Sequence, residues 1–246
     1  MIKKLLLLIF ITSFLTVFSQ EAYYNDVDKN LTGTALKDAL ATKIIATHTN
    51  MLSYTPGVWE ASKVTDKDIA DPTKVVLIYG WEDGSDSDDT NDRTRDNTFQ
   101  DGSSSSSMLW NREHVFSKSL ANPSLVTNNP GSGTDAHNLR PADKNRNSER
   151  SNYKFALGSG NSGRSSITYN GPDGANTKGW YPGDEWKGDV SRIIMYMYLR
   201  YGAQCLPTNV GVGSAQFTPD EMIDLFLQWN VEDPVSDFER QRNTYH

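Results

Sequence analysis

The middle of this chain is interrupted again and again by segments that cannot contribute to a core, and this limits the fold most. From Glu82 to Asp101 eight acidic residues stand against Arg93 and Arg95, and Gly102 with the serines Ser103 to Ser107 follows. Such a run is too polar to bury and reads as a long exposed loop over residues 82–107. Gly-, Ser- and Asn-rich stretches return at Asn128 to Gly133 and at Gly158 to Gly163.

Regular elements are read in what remains. Leu36, Leu40 and Ile44 recur at helical spacing, predicting a helix from about Leu36 to Thr47 with Thr34 as N-cap. Residues 74–80 have the β-branched content and length of a buried strand. An apolar pattern around Trp110, Val115 and Phe116 follows the acidic loop. Val190, Ile193, Ile194, Met197, Tyr198 and Tyr201 form one helical face, with Asp189 read as its N-cap and Gly202 at its C-terminal end. Thr218-Pro219-Asp220-Glu221 and Ser236-Asp237-Phe238-Glu239 both read as capping boxes opening further helices. No repeat and no domain boundary is visible. The expected class is α+β, a helix-rich single domain.

The N-terminus has a separate character. Lys3 and Lys4 precede an apolar run from Leu5 to Phe18 that closes on Ser19-Gln20. This is the pattern of a secretory signal peptide over residues 1–19, and it falls short of the ~20 apolar residues that span a bilayer. The expectation is a secreted mature domain over residues 20–246, with no membrane partner once the leader is removed. Cys205 is the only cysteine, so no intramolecular disulfide can form. A domain of this size does not depend on one.

Four polar clusters carry candidate chemistry: Trp110 to His114, Asp135 to Pro141, Asn145 to Asn152, and Gly188 to Arg192. Each alone has a structural explanation as a turn, loop or solvated edge. Together, the first three place two of the four histidines and a mixture of Glu, Asp, Asn and Arg within a short stretch. Such a set can run phosphodiester hydrolysis. A neutral imidazole activates water, a hard cation takes oxygen ligands, and arginines hold phosphate through forked hydrogen bonds.

Trp110-Asn-Arg-Glu-His114, Asp135-Ala-His-Asn-Leu-Arg-Pro141 and Asn147-Ser-Glu-Arg-Ser-Asn152, in this order and spacing, resemble the bacterial endonuclease I family. Gly188 to Arg192, and Trp229 to Ser236 with Glu239, Arg242 and Asn243, extend the resemblance over nearly the whole mature chain. It implies a nonspecific endonuclease acting on DNA and RNA through a ββα-metal hairpin-helix site. By matching positions, Glu113 and Asn147 would bind Mg²⁺, with Mn²⁺ or Ca²⁺ as substitutes, and His114 would be the general base. His137 and Asn138 would lie on the second hairpin strand, with Asn138 as a brace between loop and strand. Asp135 and Asn152 would support the site, and Arg140, Arg150 and Arg192 are candidates for phosphate contact. A monomer is expected. The chain lacks the disulfides of some relatives, and it stops at Tyr245-His246 where family members commonly continue.

Two consequences follow from elementary geometry and charge. Adjacent strand residues face opposite sides, so Glu113 and His114 can share a site only at a strand end, a bulge or a wrapped hairpin, and an irregular backbone is expected there. The formal net charge is −7, and −9 without Lys3 and Lys4, which is unfavourable for holding phosphates. From His137 to Arg164, however, six basic residues stand against Asp143 and Glu149, which predicts a basic patch on an acidic body. Asp86, Asp88, Asp89 and Asp92 lack the glycine and distal glutamate of an EF-hand, and read as a solubilising loop. Rival readings are a secreted noncatalytic module binding anions or glycans, and a Zn-dependent hydrolase. The second lacks a His-Glu-x-x-His helix.

Overall fold

The computed structural model describes residues 22–102, 108–171 and 175–245. The expected leader and Ser103 to Ser107 lie outside the described residues. The chain divides into two compact units, one up to Thr49 and one from Asn50, although the sequence has no visible boundary there. In the first unit the helix α1 spans Gly33–Thr47. It starts earlier than its apolar spacing predicts, so the N-cap position falls on Thr32, and Thr34 lies inside the helix.

The second unit contains three two-stranded antiparallel sheets. The strands β1 (Lys74–Val76) and β2 (Thr94–Asp96) form the first, β3 (Trp110–His114) and β4 (Leu139–Asp143) the second, and β5 (Gly163–Asn170) and β6 (Asn176–Tyr181) the third. Its helices are α2 (Trp59–Thr65), α3 (Lys144–Arg150), α4 (Lys187–Tyr201), α5 (Pro207–Val210), α6 (Asp224–Glu232) and α7 (Asp237–Asn243). The α+β, helix-rich class is as the sequence predicts. Among the described residues no helix is long and apolar enough to cross a membrane.

The larger core lies where α4 packs on α6. Val190, Ile194 and Met197 from α4 join Phe226 and Trp229 from α6, all at most 1% exposed. Full burial of side chains this size contributes roughly 2–3 kcal/mol each before entropy is counted. A smaller cluster of Trp59, Val75, Leu77 and Trp110 packs α2 against β1 and β3. The run after β1 leaves the ladder early, yet Leu77, Ile78 and Tyr79 remain fully buried. Ile78 N donates to the Pro141 carbonyl at 2.8 Å, which docks this run on β4.

Three local expectations are corrected by tertiary contacts. Asp189 is not an N-cap: α4 starts at Lys187, and the Asp189 carboxylate is buried against Arg140. The Thr218 capping box does not form, and α6 begins only at Asp224. Met222 and Ile223 are drawn into the core in front of the helix, Glu221 accepts from Thr208, and Thr218 Oγ1 donates to the Met222 carbonyl. The Ser236–Glu239 box, by contrast, is complete. The acidic segment is not a loop exposed throughout: it contains β2, and Asn91, Asp92 and Arg95 are buried. It is held close against Gly80, where a Cβ would fall 2.1 Å from the Asp92 carbonyl oxygen.

The basic stretch is also not a surface patch. Arg140 and Arg150 are wholly buried. Arg140 joins a buried alternating chain of charges: Arg242 pairs with Asp66, Asp66 with Arg140 at 2.6 Å, and Arg140 with Asp189 at 3.1 Å. Arg192 then grips Glu239 with two bonds of 2.6 Å. The chain ties β4 to α4 and α7. Buried charges persist only when paired in this way.

Candidate active site

The site is built on β3, β4 and α3, which follow one another as hairpin and helix. The β3–β4 register runs without a shift from Trp110 opposite Asp143 to His114 opposite Leu139. The helix begins at once because Asp143 caps it, accepting from Asn145 N at 2.8 Å and Arg146 N at 2.9 Å. Asp143 is itself anchored by Arg95 at 2.6 Å, so the acidic segment supports the start of α3.

Alternation along β3 puts Asn111 and Glu113 on one face and Arg112 and His114 on the other. On the first face α3 completes the set. Asn147 Nδ2 donates to Asn111 Oδ1 at 2.6 Å, which leaves the Asn147 Oδ1 oxygen as the open ligand atom. Glu113 is 3% exposed. Its Oε1 accepts from the Tyr79 hydroxyl at 2.9 Å and faces Arg150 Nε at 3.2 Å. Among the described residues no hydrogen bond or ion pair is made by Oε2. Burial raises the Glu113 carboxyl above its ordinary range, and the Arg150 charge and Tyr79 hydroxyl offset only part of this. A carboxylate oxygen without a hydrogen-bond partner and an open amide oxygen on the same side of the hairpin suit a hard cation, which takes oxygen ligands.

Arg150 thus faces Glu113 rather than solvent. It also donates to the Val115 carbonyl at 2.9 Å and to the Ser117 hydroxyl. Arg140 and Arg192, the other arginines expected to meet phosphate, are paired with carboxylates of the fold.

On the opposite face His114 lies buried, with Nε2 2.8 Å from the Gly133 carbonyl oxygen. A carbonyl can only accept, so Nε2 carries the proton and Nδ1 keeps its lone pair. Burial lowers the imidazole pKa to about 4, against the opposing pull of the Gly133 hydrogen bond, so the ring is neutral at pH 7. Lys118, Arg112 and Arg150 add to the lowering. The Tyr54 ring stacks against His114 at 5.7 Å.

The irregular backbone expected at Glu113-His114 is not found, because the ladder continues through both residues. The pair instead occupies the end of β3, with the two side chains on opposite faces of the ladder.

His137 and Asn138 are not on the second strand. They sit in the turn before β4, which starts at Leu139. Asn138 Oδ1 accepts from Phe116 N at 2.7 Å and its Nδ2 donates to Phe116 O at 3.2 Å, which holds the chain just beyond His114. Asp135 accepts from His137 N, Tyr196 and Tyr201, and His137 stacks on Tyr196 at 4.1 Å. Asn152 reaches Ser119 at 3.0 Å. The sequence reading missed Tyr79, Asn111 and Gly133. Only Asn111 had a local signal, since it stands two residues before Glu113 on the same strand face.

Comparison with known proteins gives a consistent picture. The model of the endonuclease I family matches residues 32–245. An extracellular ribonuclease of Bacillus amyloliquefaciens is 38% identical over 227 residues, covering 91% of this chain and 70% of the relative. An extracellular ribonuclease of Bacillus subtilis (strain 168) is 37% identical over 243 residues, covering 94% of this chain and 75% of the relative.

Proposed function

The chain belongs to the endonuclease I family and is a nuclease, and on that premise we propose that it is a secreted, metal-dependent endonuclease hydrolysing RNA and DNA with little sequence preference. The observation that supports this reading is that Glu113 and His114 end β3, with His114 held in one tautomer by Gly133 and Asn147 of the following helix tied to Asn111 on the Glu113 face. Glu113 and Asn147 would hold a cation such as Mg²⁺, with Mn²⁺ or Ca²⁺ as substitutes. When bound, the cation supplies charge stabilisation for the phosphoryl and leaving oxygens.

The protein's own groups do the rest. His114 Nδ1 accepts a proton from the attacking water, and the Nε2–H bond to Gly133 steadies the charge that develops on the ring. Tyr79 and Arg150 hold Glu113 so that Oε2 keeps its place. Arg140 and Arg192 hold the fold, and a phosphate contact falls to Lys118, which is exposed, has no ion-pair partner among the described residues and acts on His114 through its charge. The all-oxygen donor set disfavours zinc, which takes nitrogen and sulfur readily. Secretion is supported by the leader pattern of residues 1–19 and by the extracellular relatives.

The test is direct. The purified protein is incubated with single-stranded RNA and with plasmid DNA, in Mg²⁺ or in EDTA. Magnesium-dependent degradation of both substrates is expected. Equal degradation in EDTA would remove the metal, and no degradation under any metal or salt condition would remove the nuclease reading.

A further inference from the structure

Beside the proposed centre lies an open cavity of about 510 Å³, lined by Tyr54, Trp59, Glu60, Asp101, Asn111 and Arg112 among others. Its size is that of small-molecule sites, roughly 300–1,000 Å³. None of the roles assigned so far uses it. Two contacts and one shared strand face tie it to the chemistry. Asn111 meets the Asn147 amide at 2.6 Å. Arg112 shares a strand face with His114, two residues on. Tyr54, in the cavity wall, stacks on the His114 ring.

The wall is a preformed aromatic and cationic stack. The Arg112 guanidinium lies 3.5 Å from the Tyr54 ring centre and 3.9 Å from that of Trp59. It is fixed in that position by hydrogen bonds to the Tyr54 carbonyl and, at 3.1 Å, to the Thr55 hydroxyl. Flat surfaces of this kind, aromatic rings and guanidinium planes, receive unstacked bases.

The hydrogen-bonding atoms of the wall point to a base. Glu60 and Asp101 set two carboxylates against the single guanidinium. Lys63 meets Oε1 of Glu60 at 3.1 Å and Lys144 meets Oδ1 of Asp101 at 3.0 Å, which leaves Oε2 and Oδ2 as acceptors. With each carboxylate paired to a lysine, the wall offers acceptor oxygens without a net negative charge. The exocyclic amino group of a base would be accepted, as carboxylates accept from the cytosine amino group. In a duplex that edge is already paired.

We propose that this cavity is a base-binding subsite, taking an unpaired, amino-bearing base of the strand next to the scissile phosphate. It rests on the reading of Glu113, His114 and Asn147 as the cleavage centre. The consequence is a bias within an otherwise tolerant enzyme: single strands over duplexes, and adenine, cytosine or guanine over uracil at one position flanking the cut.

Two measurements test this independently. First, AMP, CMP and UMP are titrated by calorimetry in EDTA, so that no cleavage intervenes, into the wild type and the Glu60→Gln/Asp101→Asn double variant. Tighter binding of AMP and CMP than UMP is expected, with the difference lost in the variant. Second, the cut positions in mixed-sequence single-stranded RNA are mapped, and bis(p-nitrophenyl) phosphate serves as a base-free phosphodiester. The ratio of kcat/KM on RNA to that on the base-free ester should fall about tenfold in the double variant, the scale of one hydrogen bond to a charged group. Equal thermal midpoints show that both proteins are folded. Identical nucleotide affinities and cut-site profiles in the two proteins would overturn the subsite. If the wild type cleaves neither RNA nor the ester, the proposed cleavage centre fails, and the calorimetric comparison still decides the cavity.

Discussion

The Tyr79 hydroxyl donates to Glu113 Oε1 across 2.9 Å, on the same oxygen that faces Arg150, so both braces leave Oε2 open. Tyr79 is fully buried and packs edge-on against Trp180 at 5.8 Å. Tyr79→Phe therefore keeps the packing and removes only the brace. Partners of this kind set metal affinity, and their loss costs about 10–100-fold. The Mg²⁺ concentration for half-maximal cleavage should rise by about tenfold or more, with a loss of about 1 kcal/mol in stability by denaturant titration. An unchanged Mg²⁺ requirement would detach Tyr79 from the site.

His114→Ala removes the group assigned as base. Its loss should reduce kcat by about 10²–10⁴-fold. Binding of a single-stranded oligonucleotide in EDTA, followed by fluorescence anisotropy, should stay near the wild-type value. Wild-type kcat in this variant would show that another group activates the water.

Arg140 was expected from its motif to meet phosphate, and it lies instead between Asp66 and Asp189 inside the fold. Arg140→Ala would strand both carboxylates without their shared partner. Breaking a buried pair from one side costs about 3–5 kcal/mol. The expected outcome is a large fall in Tm, with KM for nucleic acid unchanged in the fraction that stays folded. A normal Tm with a raised KM would return Arg140 to substrate binding.

The difference between Arg140 and Glu113 marks how far the sequence was legible. The family resemblance implied a hairpin and helix, matched by β3, β4 and α3 although His137 and Asn138 fall in the turn before β4, and period-two alternation put Glu113 and His114 on opposite faces. Helical periodicity found α1 and α4, because their apolar stripes are local. What decided the rest was contact between distant positions. Tyr79 reaches Glu113 from a run that reads only as a buried strand. Asp66, far upstream, claims Arg140, and Asp189 leaves its supposed cap for the same guanidinium. The acidic segment reads as solvated until Arg95 is seen holding the cap of α3. Thr218 and Glu221 have the right chemistry for a capping box, and the burial of Met222 and Ile223 outweighs it. A local bond worth about 1 kcal/mol yields to two core side chains.

Asp135 gives the stability its dependence on acid. Burial alone would raise its carboxyl, but the hydrogen bond and charge of His137 and the Tyr201 hydroxyl outweigh this and hold it well below the usual range. Tyr196 donates to the same carboxylate at 3.0 Å, and Arg200 Nε lies 3.3 Å away. In the unfolded chain the group takes up its proton near pH 4, about the ordinary aspartate value. The folded state holds out to lower pH, so the stabilisation is complete at neutral pH and drains away as pH falls below about 4. Asp135→Asn keeps the size and loses the charge facing Arg200. It should cost about 3 kcal/mol at pH 7, the lower end for breaking a buried pair. Urea titrations of wild type and variant between pH 7 and pH 3 should show the gap closing on the acid side. A gap that stays constant over that range would mean that Asp135 stabilises the fold through packing and hydrogen bonding without its charge.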